Sequence, residues 1–116
     1  IGSIHRELTK PHFSAYATSK SALTGLTKAL SVELGEKIRV NSIEPAAIET
    51  SMLKAGFKDH PNKLKQLADF HPSKKIGHPE DIAKAALFLM SPDQEFINGA
   101  ILKISGGINC RLHDTL

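Results

Sequence analysis

Apolar positions along the chain follow two rhythms in alternation. From Ala15 to Leu34 they recur at spacings of three and four, with Leu23, Leu26, Leu30 and Leu34 in one row, which predicts a long helix that ends with Gly35 at its C-terminal cap. A second row, Ala22, Gly25, Ala29 and Val32, lies roughly 120° round the same helix. Its small side chains allow another backbone to come close. "KIRVNSIEP" alternates, is rich in β-branched residues and closes on Pro45, as a short strand does. "PEDIAKAALFLMS" predicts a helix with Pro79 in its first turn, Glu80 and Asp81 near its positive end, and Ile82, Ala85, Ala86 and Leu89 facing inward. "GAILKIS" predicts a last strand, and "IGS" reads as the tail of an earlier one.

Between Pro45 and the second helix, two short amphipathic pieces are interleaved with glycines and prolines. This stretch, at about residues 50–75, is too polar to be core and too patterned to be disordered, and it is expected to form a mobile excursion. The order strand, helix, strand, helices, strand predicts an α/β arrangement of parallel strands joined by helical crossovers. Two strands and a remnant are too few for a parallel sheet covered on both faces. The expectation is therefore half of a domain, and a chain that begins with Ile1 rather than methionine suggests that something precedes it.

Composition adds mainly exclusions. A chain that is 41% hydrophobic and 23% charged has the balance of an ordinary globular protein. The formal charge is +3, but the lysines are interspersed with acids, which argues against a nucleic-acid partner. No apolar run approaches the roughly 20 residues that span a bilayer, and there is no signal peptide, so no membrane partner is expected. Cys110 is the only cysteine, so no internal disulfide can form, and a cytoplasmic location fits. His5, His12, His60, His71, His78 and His113 show no helix pair and no cysteine partner, so no metal site is expected.

The candidate chemistry lies in "YATSK". The single tyrosine, Tyr16, stands one helical turn before Lys20. In a helix that follows a strand of a parallel sheet, this end lies at the carboxyl edge, where open α/β sheets bind ligands. Four residues apart on a helix, the two side chains share a face with β-carbons about 6 Å apart, so the ammonium can favour a phenolate and make the tyrosine a usable acid or base. Taken alone, the same spacing is equally that of an aromatic packed on the core beside a solvated lysine.

The wider context is more specific. Ser3 stands thirteen residues before Tyr16, "VNSIEPAAIET" follows the helix, "GHPEDIA" opens the next and "NGAILKISGG" closes the set. In this order and spacing they resemble the C-terminal half of short-chain dehydrogenases/reductases, from Ile1 to about Gly107. The resemblance implies the C-terminal half of a Rossmann-like doubly wound parallel sheet. Residues 1–116 would be a partial NAD(P)-binding domain with a substrate lid at about 50–75.

Several residue roles come with that resemblance. Tyr16 matches the tyrosine that gives a proton to the substrate carbonyl or takes one from the alcohol. Lys20 matches the lysine that bonds the nicotinamide ribose and makes the tyrosine more acidic, and Ser3 matches the serine that polarises the substrate oxygen. Pro45, Ala46, Ile48 and Thr50 match the segment beside the nicotinamide, which meets it through the backbone near Ile48 and the Thr50 hydroxyl. Two positions depart from the family's pattern. Ala46 replaces a glycine, which is tolerable at a negative φ, and Ser105 replaces an aspartate before the paired glycines. Met52, Leu53 and Phe57 fall in the lid. The implied cofactor is NAD or NADP, the substrate is a small-molecule alcohol or carbonyl compound, and the complete protein would be a homodimer or homotetramer associating through the small-residue row. The family's glycine-rich loop, its NAD/NADP-selecting residue and the asparagine of its proton relay lie upstream of the matched region. The expected function is thus a fragment of an oxidoreductase that interconverts a secondary alcohol and a ketone, inactive on its own. The alternative is a catalytically inactive remnant that acts only in subunit association.

Overall fold

Ser42–Pro45 (β1) and Ile101–Ile104 (β2) pair in parallel, with Ser42 opposite Ile101 and Pro45 opposite Ile104. The structure is a computed structural model that describes residues 1–112, so His113 lies outside the described residues. Both strands are shorter than the alternating stretches that predicted them, and two asparagines show why. The Val40 N–H donates to Asn98 Oδ1 at 2.9 Å and the Ala100 N–H donates to Asn41 Oδ1 at 2.9 Å. Asn41 Nδ2 donates in turn to the Ile97 carbonyl at 2.9 Å. Apart from the backbone bond from the Gly99 N–H to the Val40 carbonyl at 2.8 Å, side-chain amides thus replace ladder bonds until Ser42. Gly99 completes this junction at φ +75°, where a β-carbon would stand 2.9 Å from Ser31 Oγ. On the other edge of β1, the Gly2 N–H donates to the Ile43 carbonyl at 2.7 Å, so "IGS" runs beside the sheet without forming the strand expected of it.

Successive strand side chains point to opposite faces, and a helix covers each. Glu44 turns toward α1 (Ser14–Glu33), where Thr24 Oγ1 donates to its carboxylate. Ile43 turns toward α4 (Pro79–Met90) and shares an open cavity of about 410 Å³ with Ala86 and Leu89. Helices on both faces of parallel strands make a partial doubly wound arrangement. The inward face predicted for α4 is observed, with Leu89 buried and Ile82, Ala85 and Ala86 half-buried. The His78 N–H donates to Asp81 Oδ2 at 2.8 Å, so the acidic first turn also caps the helix. At the other end, Arg39 donates to the carbonyls of Leu89, Ser91 and Ile97 at 2.8 to 3.1 Å and satisfies acceptors that the helix leaves open.

The leucine row of α1 does not face the sheet. The buried residues are Thr24 and Thr27, while Leu26 is 52% exposed. The buried row, which includes Lys20 and Ser31 at its margins, is rotated roughly a quarter-turn from the leucines. The cause is Glu44, which has 0% exposure. A buried carboxylate demands donors, and a threonine supplies one where a leucine cannot. Leu23, Leu30 and Leu34 are left half-buried at the flank, and Ala22, Gly25, Ala29 and Val32 are all exposed. Gly35 follows the C-cap Leu34 at the end of the helix as expected, but without a left-handed conformation, because the positive-φ glycines among the described residues are Gly99, Gly106 and Gly107. Its need is close approach, since a β-carbon there would lie 2.8 Å from the Ser31 carbonyl oxygen.

The excursion forms α2 (Ser51–Gly56) and α3 (Pro61–Phe70), bounded by the glycine and proline that mark them. His71, 2% exposed, pins its far end, bonding the Leu67 carbonyl through Nδ1 at 2.8 Å. The Ser73 N–H donates to the Gly106 carbonyl at 3.1 Å, and Arg111 donates to that of Phe70 at 3.0 Å. Among the described residues, no helix is long and apolar enough to cross a membrane.

Candidate active site

The first six residues are fastened to the sheet and to α1. Lys20 Nζ donates to the Ile1 carbonyl at 3.3 Å, and Gly2 holds Ile43 as described. Ser3 is buried and its Oγ accepts from the His5 N–H at 3.2 Å, which starts a 3₁₀ turn at Ile4–Arg6. Tyr16 is the third residue of α1 and is 43% exposed. The Lys20 ammonium stands 5.5 Å from its ring centroid. Phe13, at the N-cap, makes no side-chain bond to the helix, so the positive end of α1 opens beside Tyr16.

His5 was not singled out from the other histidines, yet it joins Ser3 to Tyr16. Its ring stacks on Phe13 at 4.9 Å and meets Tyr16 edge-on at 5.5 Å, while Phe13 meets Tyr16 edge-on at 5.6 Å. Its Nδ1 bonds Thr9 Oγ1 at 3.2 Å. Burial, and then the positive charge of Lys10, holds this imidazole below its ordinary pKa, so the neutral ring is favoured. The only sequence signal was its place two residues after Ser3. Ser3, His5, Tyr16 and Lys20 thus gather around the first turns of α1.

The carboxyl end of β1 supplies the second half of the site. Pro45 is buried and the Ala46 N–H donates to the Ile104 carbonyl at 3.0 Å. Ala46 is not among the positive-φ residues, which apart from glycine are His12 and Lys74 among the described residues, so the condition for alanine in place of glycine is met. Ile48 bridges Gly77 in parallel through bonds from Gly77 N to the Ala47 carbonyl at 3.1 Å and from Glu49 N to the Gly77 carbonyl at 2.8 Å. In that pattern the Ile48 N–H points away from Gly77, and it has no hydrogen-bond partner among the described residues. Thr50 Oγ1 accepts from the Leu53 N–H at 3.2 Å, which leaves its own hydrogen to donate. An amide N–H and a hydroxyl donor at a sheet's carboxyl edge fit the carboxamide oxygen and phosphates of a nicotinamide dinucleotide. Of the residues expected in a lid, Met52 is 83% exposed, while Leu53 and Phe57 are half-buried. Ser105 is buried. It bonds the Asn109 side chain and accepts from the Gly107 N–H, so it shapes the C-terminal turn.

Comparison with known proteins gives this arrangement its class. Residues 1–109 match the family model described as enoyl-(acyl carrier protein) reductase, and the chain belongs to the short-chain dehydrogenase/reductase family, of which it matches the C-terminal portion. It is 41% identical over 108 residues to 7alpha-hydroxysteroid dehydrogenase of Escherichia coli, covering 92% of this chain and 42% of that protein. It is 34% identical over 108 residues to carbonyl reductase (NADPH) 2 of Sus scrofa, covering 92% of this chain and 44% of that protein. The ligand-free aldohexose dehydrogenase of Thermoplasma acidophilum superposes with a TM-score of 0.93 at 30% identity, over 99% of this chain and 48% of that one. The chain therefore spans less than half the length of these relatives.

Proposed function

We propose that this chain is the catalytic, C-terminal part of an NAD(P)-dependent oxidoreductase that interconverts a secondary alcohol and a ketone. The observation that carries the reading is the shared placement of Tyr16 and Lys20 on the first turns of α1, with Ser3 linked to them through His5. The bound dinucleotide would supply the hydride. The protein's own residues supply position, a proton and a place for developing charge. Tyr16 holds the proton passed to or from the substrate oxygen. Lys20 keeps two ammonium hydrogens beyond the one given to Ile1, enough to meet a ribose hydroxyl and to stabilise a phenolate. Ser3 donates toward the substrate oxygen, since its hydroxyl accepts from His5 and still carries a hydrogen. Ile48 and Thr50 meet the cofactor.

The substrate class follows from the relatives only as far as a small alcohol or carbonyl compound, with residues 51–73 as the lid that selects among them. The exposed row Ala22, Gly25, Ala29 and Val32 supports association of two or four copies of the complete protein. The test uses the complete protein that contains this chain, assayed for oxidation of NADH and NADPH with ketosteroids, ketoses and simple ketones. Tyr16→Phe should lower turnover by about 10² to 10⁴ while cofactor binding, measured by fluorescence titration, stays close to that of the unaltered protein. Equal turnover in the two proteins overturns the assignment of Tyr16, and no turnover with any carbonyl class overturns the function.

A further inference from the structure

Among the described residues, the most deeply buried charged side chain lies outside those assigned so far. Glu44 has 0% exposure and projects from the middle of β1 toward α1. Arg6 meets it with two parallel bonds, Nε to Oε1 at 2.7 Å and Nη2 to Oε2 at 3.0 Å, and Thr24 Oγ1 adds a third at 2.9 Å. The same guanidinium reaches Glu7 at 2.8 Å, and Glu7 pairs with Lys103, which stands beside Glu44 on β2. This network joins four pieces of chain: the turn after Ser3, α1, β1 and β2.

A buried ion pair is a poor source of stability, because desolvation consumes most of the Coulombic gain and apolar packing does as well or better. What a two-pronged pair does supply is direction, since both bonds form at only one orientation of the guanidinium. That orientation bears on the site. The segment from Ile1 to Arg6 is held at its start by Lys20 and Ile43 and at its end by Glu44, and Ser3 lies between. Thr24 sits one turn beyond Lys20 on α1, so the carboxylate that orients Arg6 is also bonded to the helix that carries Tyr16.

We propose that Arg6 and Glu44, steadied by Thr24, are positioning residues that set the Ser3 hydroxyl against Tyr16 across the gap between the first turn and α1. The proposal rests on the roles assigned above to Ser3 and Tyr16. Removing the pair should displace Ser3 without touching the cofactor segment Pro45–Thr50.

The test is a cycle on the complete protein with Arg6→Ala, Ser3→Ala and both. Arg6→Ala should lower kcat roughly 10- to 100-fold through misplacement of the serine, with the cofactor Kd changed by less than about twofold. In the Ser3→Ala background the same change should cost almost nothing further, because the group it positions is gone. An equal loss in both backgrounds, or no loss of kcat, overturns the proposal. Should Arg6→Ala fail to fold, Thr24→Val and Glu44→Gln take its place in the same cycle. A second measurement is independent of turnover. Amide hydrogen exchange in Glu44→Gln should speed by more than about tenfold at residues 2–8 while α1 keeps its protection, and uniform loss along α1 would reduce the pair to general support and overturn the proposal. If the unaltered protein turns over no carbonyl compound, the functional reading fails, and exchange still decides whether Glu44 holds the segment.

Discussion

The segment Ile1–Arg6 and the excursion Ser51–Ser73 both end near the carboxyl edge of the sheet, and they are built differently. The first has little secondary structure of its own and is held by bonds to distant parts of the chain, as in Gly2 to Ile43, Lys20 to Ile1 and Arg6 to Glu44. The second is mostly helix, held by bonds a few residues long, such as Leu53 to Thr50 and His71 to Leu67. Its long-range ties, including Ser73 to Gly106 and Arg111 to Phe70, gather at its far end. Long-range bonds fix one piece of chain relative to another, as the roles proposed for Ser3 and Tyr16 require. Local bonds keep a helix intact while leaving its placement over the sheet adjustable, which suits the lid role proposed for this segment.

The largest test of that difference is to exchange Ser51–Ser73 for the matching segment of a relative with another substrate. Preference, as a ratio of kcat/KM values, should move by roughly 10- to 200-fold, while the penalty of Tyr16→Phe stays the same. Preference that remains with the rest of the protein would mean that the excursion is not the selective element. A smaller change probes its local character. Thr50→Ala removes the cap of α2 and should cost about 1 kcal/mol, seen as faster amide exchange from Leu53 to Phe57. Exchange that quickens equally in α1 would show the two regions to be coupled.

The smallest effect is one of pH and belongs to the Ile1–Lys20 side. Burial holds His5 below its ordinary value of 6.5 in the folded state. Between that value and the lower folded one, the unfolded chain binds a proton that the folded chain does not, so stability falls as the pH drops through this window. Glu7 acts in the same direction further down. Its bond to Lys103 holds the carboxyl below the ordinary 4.5, a contribution present above that value and lost as the pH falls. Urea midpoints of the complete protein at about pH 7.5 and 5.5 should differ less in His5→Gln than in the unaltered protein. An identical difference would remove His5 from the packed cluster.

Much of the fold was legible because it follows from local pattern. The predicted helix Ala15–Leu34 is Ser14–Glu33, the inward face of α4 is as read, and the glycine and proline punctuation bounds α2 and α3. Tyr16 and Lys20 were legible for the same reason, since four residues on a helix always share a face. The orientation of α1 was not. A row of leucines outranks a row of threonines when only transfer energies are weighed, and nothing in "VNSIEP" tells that Glu44 will face that helix rather than solvent. The extent of β1 was hidden likewise, because Asn41 and Asn98, 57 positions apart by number, share the bonds a longer ladder would have used.

By itself, then, the sequence determined which residues form helices and strands, the parallel order of those strands, and the pairing of Tyr16 with Lys20, because each rests on spacings of a few residues and on side-chain chemistry that does not depend on context. Only the tertiary structure decided that Thr24 and Thr27 rather than the leucines meet the sheet, that His5 packs between Ser3 and Tyr16, and that Arg6 finds Glu44. Each of these is a contact between segments whose meeting depends on the register of β1 against β2 and the rotation of α1. A buried carboxylate sets that rotation by selecting its hydrogen-bond donors from across the fold.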